Sequence, residues 1–268
     1  MEMVRIGPED MKRQELLLYN ESSEVQLRRY YEPEEGLFIA ESLRVLERAL
    51  DAGYEPVSLL IEDRHVQDPL VKRIGDIPVY VGSAETLGSL AGYKLTGGAL
   101  SLMRRRKLPK AAELLKDAKR VVVLESINNP TNVGAIFRSA AALGADAILL
   151  TPDCSDPLYR RAARVSMGTV FALPWCYFGA NEAADLSLLR ECGFTSLAMA
   201  LREGAEALGS IELSRSDKRA VLLGNENNGL AEATVAASDH CVVIPMQNGV
   251  DSLNVAAASA VAFWELFR

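Results

Sequence analysis

Histidine is almost missing from this chain. Only His65 and His240 occur, far apart, which excludes a multi-histidine metal centre and leaves no recognisable partner pattern for a histidine general base. Cysteine is also sparse: Cys154, Cys176, Cys192 and Cys241 are widely spaced with no C-x-x-C pair, so neither a disulfide framework nor a cysteine zinc site is expected, and no metal of any kind. A reducing cytoplasm suits such a chain. There is no apolar run approaching the roughly 18 residues of a membrane span, and the opening MEMVRIGPEDMKRQ lacks the apolar segment of a signal peptide, so a soluble, unexported protein without a membrane partner is expected. Positive charge is in deficit. The net charge is -7 and the isoelectric point about 5.1, which argues against nucleic-acid binding by bulk electrostatics, although a local basic patch stays open. Three glycine signatures are missing too: G-x-G-x-x-G, the G-K-[ST] of a P-loop, and the G-x-S-x-G of a serine hydrolase.

What remains is ordinary globular usage, 268 residues with 49% hydrophobic and 24% charged, enough for one or two cored domains. The basic stretch RRRKLPKAAELLKDAKR, from Arg104 to Arg120, divides two textures and reads as a linker with a short helix. The boundaries expected are therefore 1–103, a linker at 104–118, and 119–268. Ahead of the linker, Leu43, Val45, Leu46 and Leu50 fall near helical spacing, Gly53 closes that helix, and the runs PVSLLIED and IPVYVG read as strands of a small α/β unit. Beyond it, VVVLES, AILLT, FALPW, TSLAMAL, AVLLGNE and CVVIPM are short Val/Ile/Leu-rich runs separated by helical patterns. That alternation predicts a mainly parallel sheet with helices on both faces.

Three junctions gather polar residues and glycines where strands end, the usual ligand-binding edge of an open α/β sheet. In ESINNPTNVGAIFRSAAALGAD, Asn132 lies near a helix start and Arg138 farther along it; a capped helix with one solvated arginine explains the same letters. The run AVLLGNENNGLAEATV ends a strand at Gly224, Asn225 and Glu226, where glycine lets a ligand approach the backbone, yet a turn with positive φ at Gly229 fits as well. In CVVIPMQNGVDSLNVAAASAVAFWELF a strand breaks at Pro245 and an apolar helix begins near Ser252 or Asn254. Ser252 there is equally an N-cap, and the small residues after it suit a packed core helix.

Taken together, the segments NVGAIFR, LLGNE and IPM followed by SLNV resemble the three motifs of the SpoU/TrmH family of RNA 2'-O-ribose methyltransferases, within the SPOUT superfamily. Asn132 and Arg138 match the first motif, Gly224 and Glu226 the second, and Ser252 and Asn254 the third; the stretch around Ser166, Met167 and Gly168 is also similar. Asn225 and Asn227-Asn228 stand where small residues are usual, and Ala256 replaces a common serine. The amino-terminal EEGLFIAESLRVLERAL resembles the family's substrate-binding domain, a fold similar to ribosomal protein L30e. The resemblance implies an L30e-like α/β domain followed by a trefoil-knotted, mainly parallel SPOUT sheet, a homodimer, and S-adenosyl-L-methionine as cofactor.

The same resemblance implies that Asn132, Arg138, Glu226, Ser252 and Asn254 form the catalytic set and that Leu223, Gly224, Asn225, Ile244, Met246, Ser252 and Leu253 bind the cofactor. Methyl transfer to a ribose 2'-hydroxyl of ribosomal or transfer RNA is the implied reaction. A guanidinium titrates above about 12, so Arg138 suits a charge role toward phosphate and developing alkoxide, with a neutral-arginine base as the alternative. Arg28, Arg29, Arg104, Arg105, Arg106, Arg160, Arg161 and Arg164 are the candidate RNA-binding residues; a charge run is ordinarily a solvated face, and the resemblance favours the functional reading. The competing class is a non-catalytic RNA-binding or ribosome-assembly protein on the same fold. An ordinary doubly wound nucleotide-binding enzyme lacks its glycine fingerprint.

Overall fold

The computed structural model describes residues 3–20, 27, 36–95, 97–179, 184–211 and 217–267. Arg28 and Arg29 lie outside them. The chain divides into two compact units, one formed by 1–107 with 158–172 and the other by 108–157 with 173–268.

The first unit is a five-stranded mixed sheet of β1 (Met3–Arg5), β2 (Leu37–Glu41), β3 (Pro56–Glu62), β4 (Val79–Gly82) and β5 (Ala99–Arg104) in the order β1-β4-β3-β5-β2. β5 is antiparallel to both β2 and β3, whereas β1, β4 and β3 run parallel. Leu37, Ile39, Leu60, Leu87 and Leu102 pack with Leu16 and Tyr19 in its core. The helix Leu43–Asp51 forms where the apolar spacing predicts, burying Val45, Leu46 and Ala49, and Gly53 follows at φ +77° as its left-handed terminator. Ser42 caps it, its Oγ accepting from the Val45 N–H at 3.3 Å.

The segment 158–172 adds two short helices, Arg160–Val165 and Thr169–Ala172, to this unit. The expected strand FALPW is therefore half helix: Phe171 and Ala172 are helical and the strand starts at Trp175. Aromatic packing explains the change, since Phe171 sits against Phe38 and Tyr54 at ring-centroid distances of 5.6 and 5.3 Å.

The second unit is a seven-stranded, wholly parallel sheet: β6 (Arg120–Leu124), β7 (Ala147–Leu150), β8 (Trp175–Tyr177), β9 (Thr195–Met199), β10 (Glu206–Ala207), β11 (Arg219–Leu223) and β12 (His240–Val243), in the order β10-β12-β9-β11-β6-β7-β8. Helices cover both faces, because alternate residues of a buried strand point to opposite sides. On one side Val121, Val123, Leu149 and Leu222 pack with Leu115, Leu186 and Leu189 from the helices Ala111–Asp117 and Leu186–Glu191. On the other, the helices Pro130–Ala142 and Val255–Leu266 pack on each other, and the latter on β11. The short helix expected in the linker forms at Ala111–Asp117, with Leu115 buried in this core. β11, late in the sequence, inserts between β6 and β9, with Leu223 beside Leu124 and Leu222 beside Ala198. The order of connection reverses there, β6 leading to β7 on one side and β11 to β12 on the other, and such a switch point leaves a crevice at the strand ends.

Candidate active site

Beyond β6, Asn129 caps the helix Pro130–Ala142, its Oδ1 accepting from the Thr131 N–H at 2.9 Å, and Pro130 takes the first turn, where no amide hydrogen is needed. This start buries Asn132 on the inner side of the helix. Its Nδ2 donates to Glu226 Oε1, and its Oδ1 accepts from Asn254 Nδ2 at 3.3 Å. One amide therefore links three segments that are distant in sequence.

After β11 the chain makes a tight loop. Asn225 and Gly229 exchange backbone hydrogen bonds of 3.1 and 2.8 Å, Gly229 adopts φ +69°, and Asn225 Oδ1 accepts from the Asn227 N–H at 2.8 Å. Asn225 Nδ2 also donates to the Ser126 carbonyl at 2.8 Å, tying this loop to the end of β6. The returning strand of the loop lies directly over Gly224. A Cβ there would fall 2.2 Å from the Gly229 carbonyl carbon and 2.3 Å from the Leu230 nitrogen, so only glycine fits.

Behind the loop, Glu125 is buried and accepts from the N–H groups of Ala184 (3.2 Å) and Ala231 (2.7 Å) and from Thr234 Oγ1 (2.6 Å). Neutral donors satisfy this carboxylate and pin the chain as it leaves the loop.

A cavity of about 640 Å³ opens at the ends of β9, β11 and β12. Leu223, Gly224, Asn225, Ile244, Met246, Ser252 and Leu253 all line it, as do Glu226 and Asn254. Asn254 caps the final helix, accepting from the Ala256 N–H at 3.0 Å, and Ser252 lies in the loop ahead of it. Its wall also includes Met199 to Arg202, the exit of β9, which sequence reasoning missed. That exit carries no glycine or motif spacing, so only the sheet order could have found it.

Arg138 is placed differently. It is exposed, absent from the cavity wall, and six residues beyond Asn132, which turns it about 240° around the helix from that side chain. One chain brings Asn132, Glu226 and Asn254 together and leaves Arg138 apart.

Among the described candidate arginines, Arg105, Arg106, Arg160 and Arg164 have structural partners. Arg164 donates to the buried Glu41 at 2.8 Å, and Glu41 also accepts from the Tyr93 hydroxyl at 2.9 Å; Arg160 donates to that hydroxyl at 3.3 Å. Arg161 is exposed on the same short helix. Arg104, Arg105 and Arg106 line a smaller cavity of about 310 Å³ with Gly53 and Glu55. Arg105 donates to the Leu37 carbonyl at 3.2 Å, and Arg106 lies 4.7 Å over the Tyr54 ring.

Burial pushes Cys154 up and Cys176 up to about 12, which keeps both protonated near neutrality. Among the described residues no group of three acidic, histidine or cysteine side chains could hold a metal, and no helix is long and apolar enough to cross a membrane.

Residues 119–264 match the model of the SpoU rRNA Methylase family. The chain belongs to this family. It is 40% identical over 235 residues, 87% of this chain and 81% of the relative, to an uncharacterized tRNA/rRNA methyltransferase of Mycobacterium bovis. It is 26% identical to the 23S rRNA (guanosine(2553)-2'-O)-methyltransferase RlmP of Bacillus subtilis, across 78% of this chain and 88% of that one. An rRNA methyltransferase of Sinorhizobium meliloti, solved with AdoMet bound, superposes with a TM-score of 0.78 at 23% identity and covers 98% of this chain and 97% of its own. The fold is accordingly that of the SPOUT methyltransferases. Within this SpoU protein the three segments that resemble the family's motifs meet at Asn132.

Proposed function

We propose that the protein transfers a methyl group from S-adenosyl-L-methionine to a ribose 2'-hydroxyl of ribosomal or transfer RNA, as a cytoplasmic homodimer with a knotted carboxyl-terminal sheet. One observation carries the reading: seven residues from two separated segments, 223–225 and 244–253, wall a single cavity, and Asn132 is hydrogen-bonded to the residue that follows each segment, Glu226 and Asn254. The residues present fit the cofactor. About 640 Å³ lies within the range of small-molecule sites, and the wall mixes aliphatic side chains with a few polar groups.

The bound cofactor supplies an activated methyl group on a sulfonium, so the chain must position the acceptor oxygen and manage its proton. Glu226 and Asn132 form a fixed acceptor–donor pair at the cavity, suited to ribose hydroxyls. Asn254 and Ser252 order the loop that opens the final helix. Arg138 holds phosphate and offsets the charge developing on the 2'-oxygen, a role that suits a permanent cation better than proton abstraction does.

Because Arg138 stands away from its own cavity, the reading assigns it to the cavity of a second protomer. The final helix supports this: Phe263 and Phe267 are buried and stacked, while Val261 and Trp264 are 41% and 59% exposed on a helix with no charge before Glu265. Two measurements test the proposal. Tritium should pass from S-adenosylmethionine to RNA and survive as alkali-resistant 2'-O-methyl; transfer to a base, or none, overturns the reaction. Mixing inactive Arg138→Ala with inactive Gly224→Val protein should restore transfer, and failure to restore it refutes the shared site.

A further inference from the structure

The cavity carries two carboxylates, Glu226 and Asp251, and Arg202 is the only cationic side chain among the described residues lining it. No sequence motif singled Arg202 out, since it follows β9 at the plain apolar exit AMALRE. Its guanidinium pairs with Glu232 at 2.5 Å, and the two side chains are 38% and 81% exposed. Such an exposed pair is weakly held and readily exchanged for a better anion. Glu232 does not line the cavity, whereas Arg202 does.

We infer that Arg202 binds the α-carboxylate of the cofactor's amino-acid moiety and thereby sets which end of the cavity that moiety occupies. The inference rests on the cofactor reading above. A carboxylate placed beside Glu226 or Asp251 meets like charge, and the other electropositive feature, the start of the final helix, already has its Ala256 N–H taken by Asn254 Oδ1 at 3.0 Å. Arginine, with its planar fork of donors, matches a carboxylate in two parallel hydrogen bonds. Glu232 then acts as the placeholder that the cofactor displaces.

Calorimetry with three ligands separates the possibilities: S-adenosylhomocysteine, its decarboxylated analogue, and 5'-methylthioadenosine, which lacks the amino-acid portion. The wild-type protein should prefer S-adenosylhomocysteine to the decarboxylated analogue by about tenfold or more, a difference of the size expected for one charge-assisted pair. Arg202→Gln should erase that preference while leaving methylthioadenosine affinity unchanged. Glu232→Gln, which frees the guanidinium without touching the cavity, should tighten S-adenosylhomocysteine a few-fold. If the preference survives Arg202→Gln, or if all three ligands weaken equally, this assignment is overturned while the cofactor reading stands. If the wild-type protein binds none of the three, the cofactor reading itself falls and the assignment with it.

Discussion

Two polar clusters, one in each unit, are built from similar parts and differ in what they leave open. In the first unit, Glu41 is 4% exposed and fully engaged by Arg164 and Tyr93, with Arg160 behind the tyrosine. In the second, Glu226 holds Asn132, Asn132 holds Asn254, and the exposed carboxylate and the capping asparagine both border a cavity. A carboxylate closed off by a cation contributes to holding a segment in place; a carboxylate held by one amide at a cavity mouth keeps acceptor capacity for a ligand. Burial and partner count, rather than residue type, distinguish a structural group from a chemical one here.

The comparison predicts that changes around the cavity alter rate or affinity with little effect on stability, and that changes around Glu41 do the reverse. The largest effect belongs to Arg138. Its exposure means that Arg138→Ala should keep the melting temperature and cofactor affinity, yet single-turnover transfer at saturating RNA should fall by at least about 100-fold. Near wild-type transfer would return Arg138 to a solvated helix position. Arg138→Lys keeps the charge, loses the planar fork, and should remain badly impaired.

Gly224→Ala comes next. The added methyl would overlap the Gly229–Leu230 backbone, so the loop must shift and S-adenosylhomocysteine affinity should drop by about tenfold or more in calorimetry, with far-UV circular dichroism unchanged. Unaltered affinity would show that the loop does not shape the pocket.

On the other side of the comparison, Glu41→Gln should lower stability by about 1–2 kcal/mol in urea titration, discounted from a fully buried pair because Arg164 is 42% exposed. Cofactor affinity should not move. A loss of affinity without a loss of stability would invert the assignment of the two clusters.

The smallest effect is a pH dependence. Burial, and then the neighbouring Glu41 charge, push Tyr93 up to about 12 from an ordinary value near 10. A raised folded-state value means that this contribution is complete below about pH 10, where the unfolded chain is also protonated. It is lost as the pH rises from 10 to 12, because there the unfolded state releases a proton the folded state keeps. Tyr93→Phe should flatten that part of the urea-midpoint profile. A profile as steep as that of the wild type would assign the alkaline loss elsewhere, for instance to Tyr19, which burial also raises.

Much of this was legible in the residues themselves. The short Val/Ile/Leu runs gave the strands of a parallel sheet, because strands covered on both faces are apolar at every position. The second and third motif segments gave seven residues that line one cavity. What escaped depended on distance along the chain. No local pattern places β11 between β6 and β9, so the exit of β9 and Arg202 could not be assigned to the cavity in advance. The hydrogen bonds of Asn132 span 94 and 122 residues, and the pair Arg164–Glu41 spans 123. A basic run also looks alike whether its arginines await RNA or, like Arg105 and Arg106, serve neighbouring carbonyls and rings.

The excursion of residues 158–172 into the first unit bears on how the protein is made. During synthesis the amino-terminal sheet has all its strands once Arg104 has emerged, but the piece carrying Phe171 and Arg164 follows some 60 residues later, after β6 and β7. Until then Phe38 and Tyr54 lack their aromatic neighbour and Glu41 lacks its cation. The first unit therefore cannot finish folding before the second has begun, and a fragment cut at the basic stretch would strand that piece away from its core. Ribosome-arrested chains ending near residue 150 should remain sensitive to protease in the first unit, and those ending beyond 200 should become resistant.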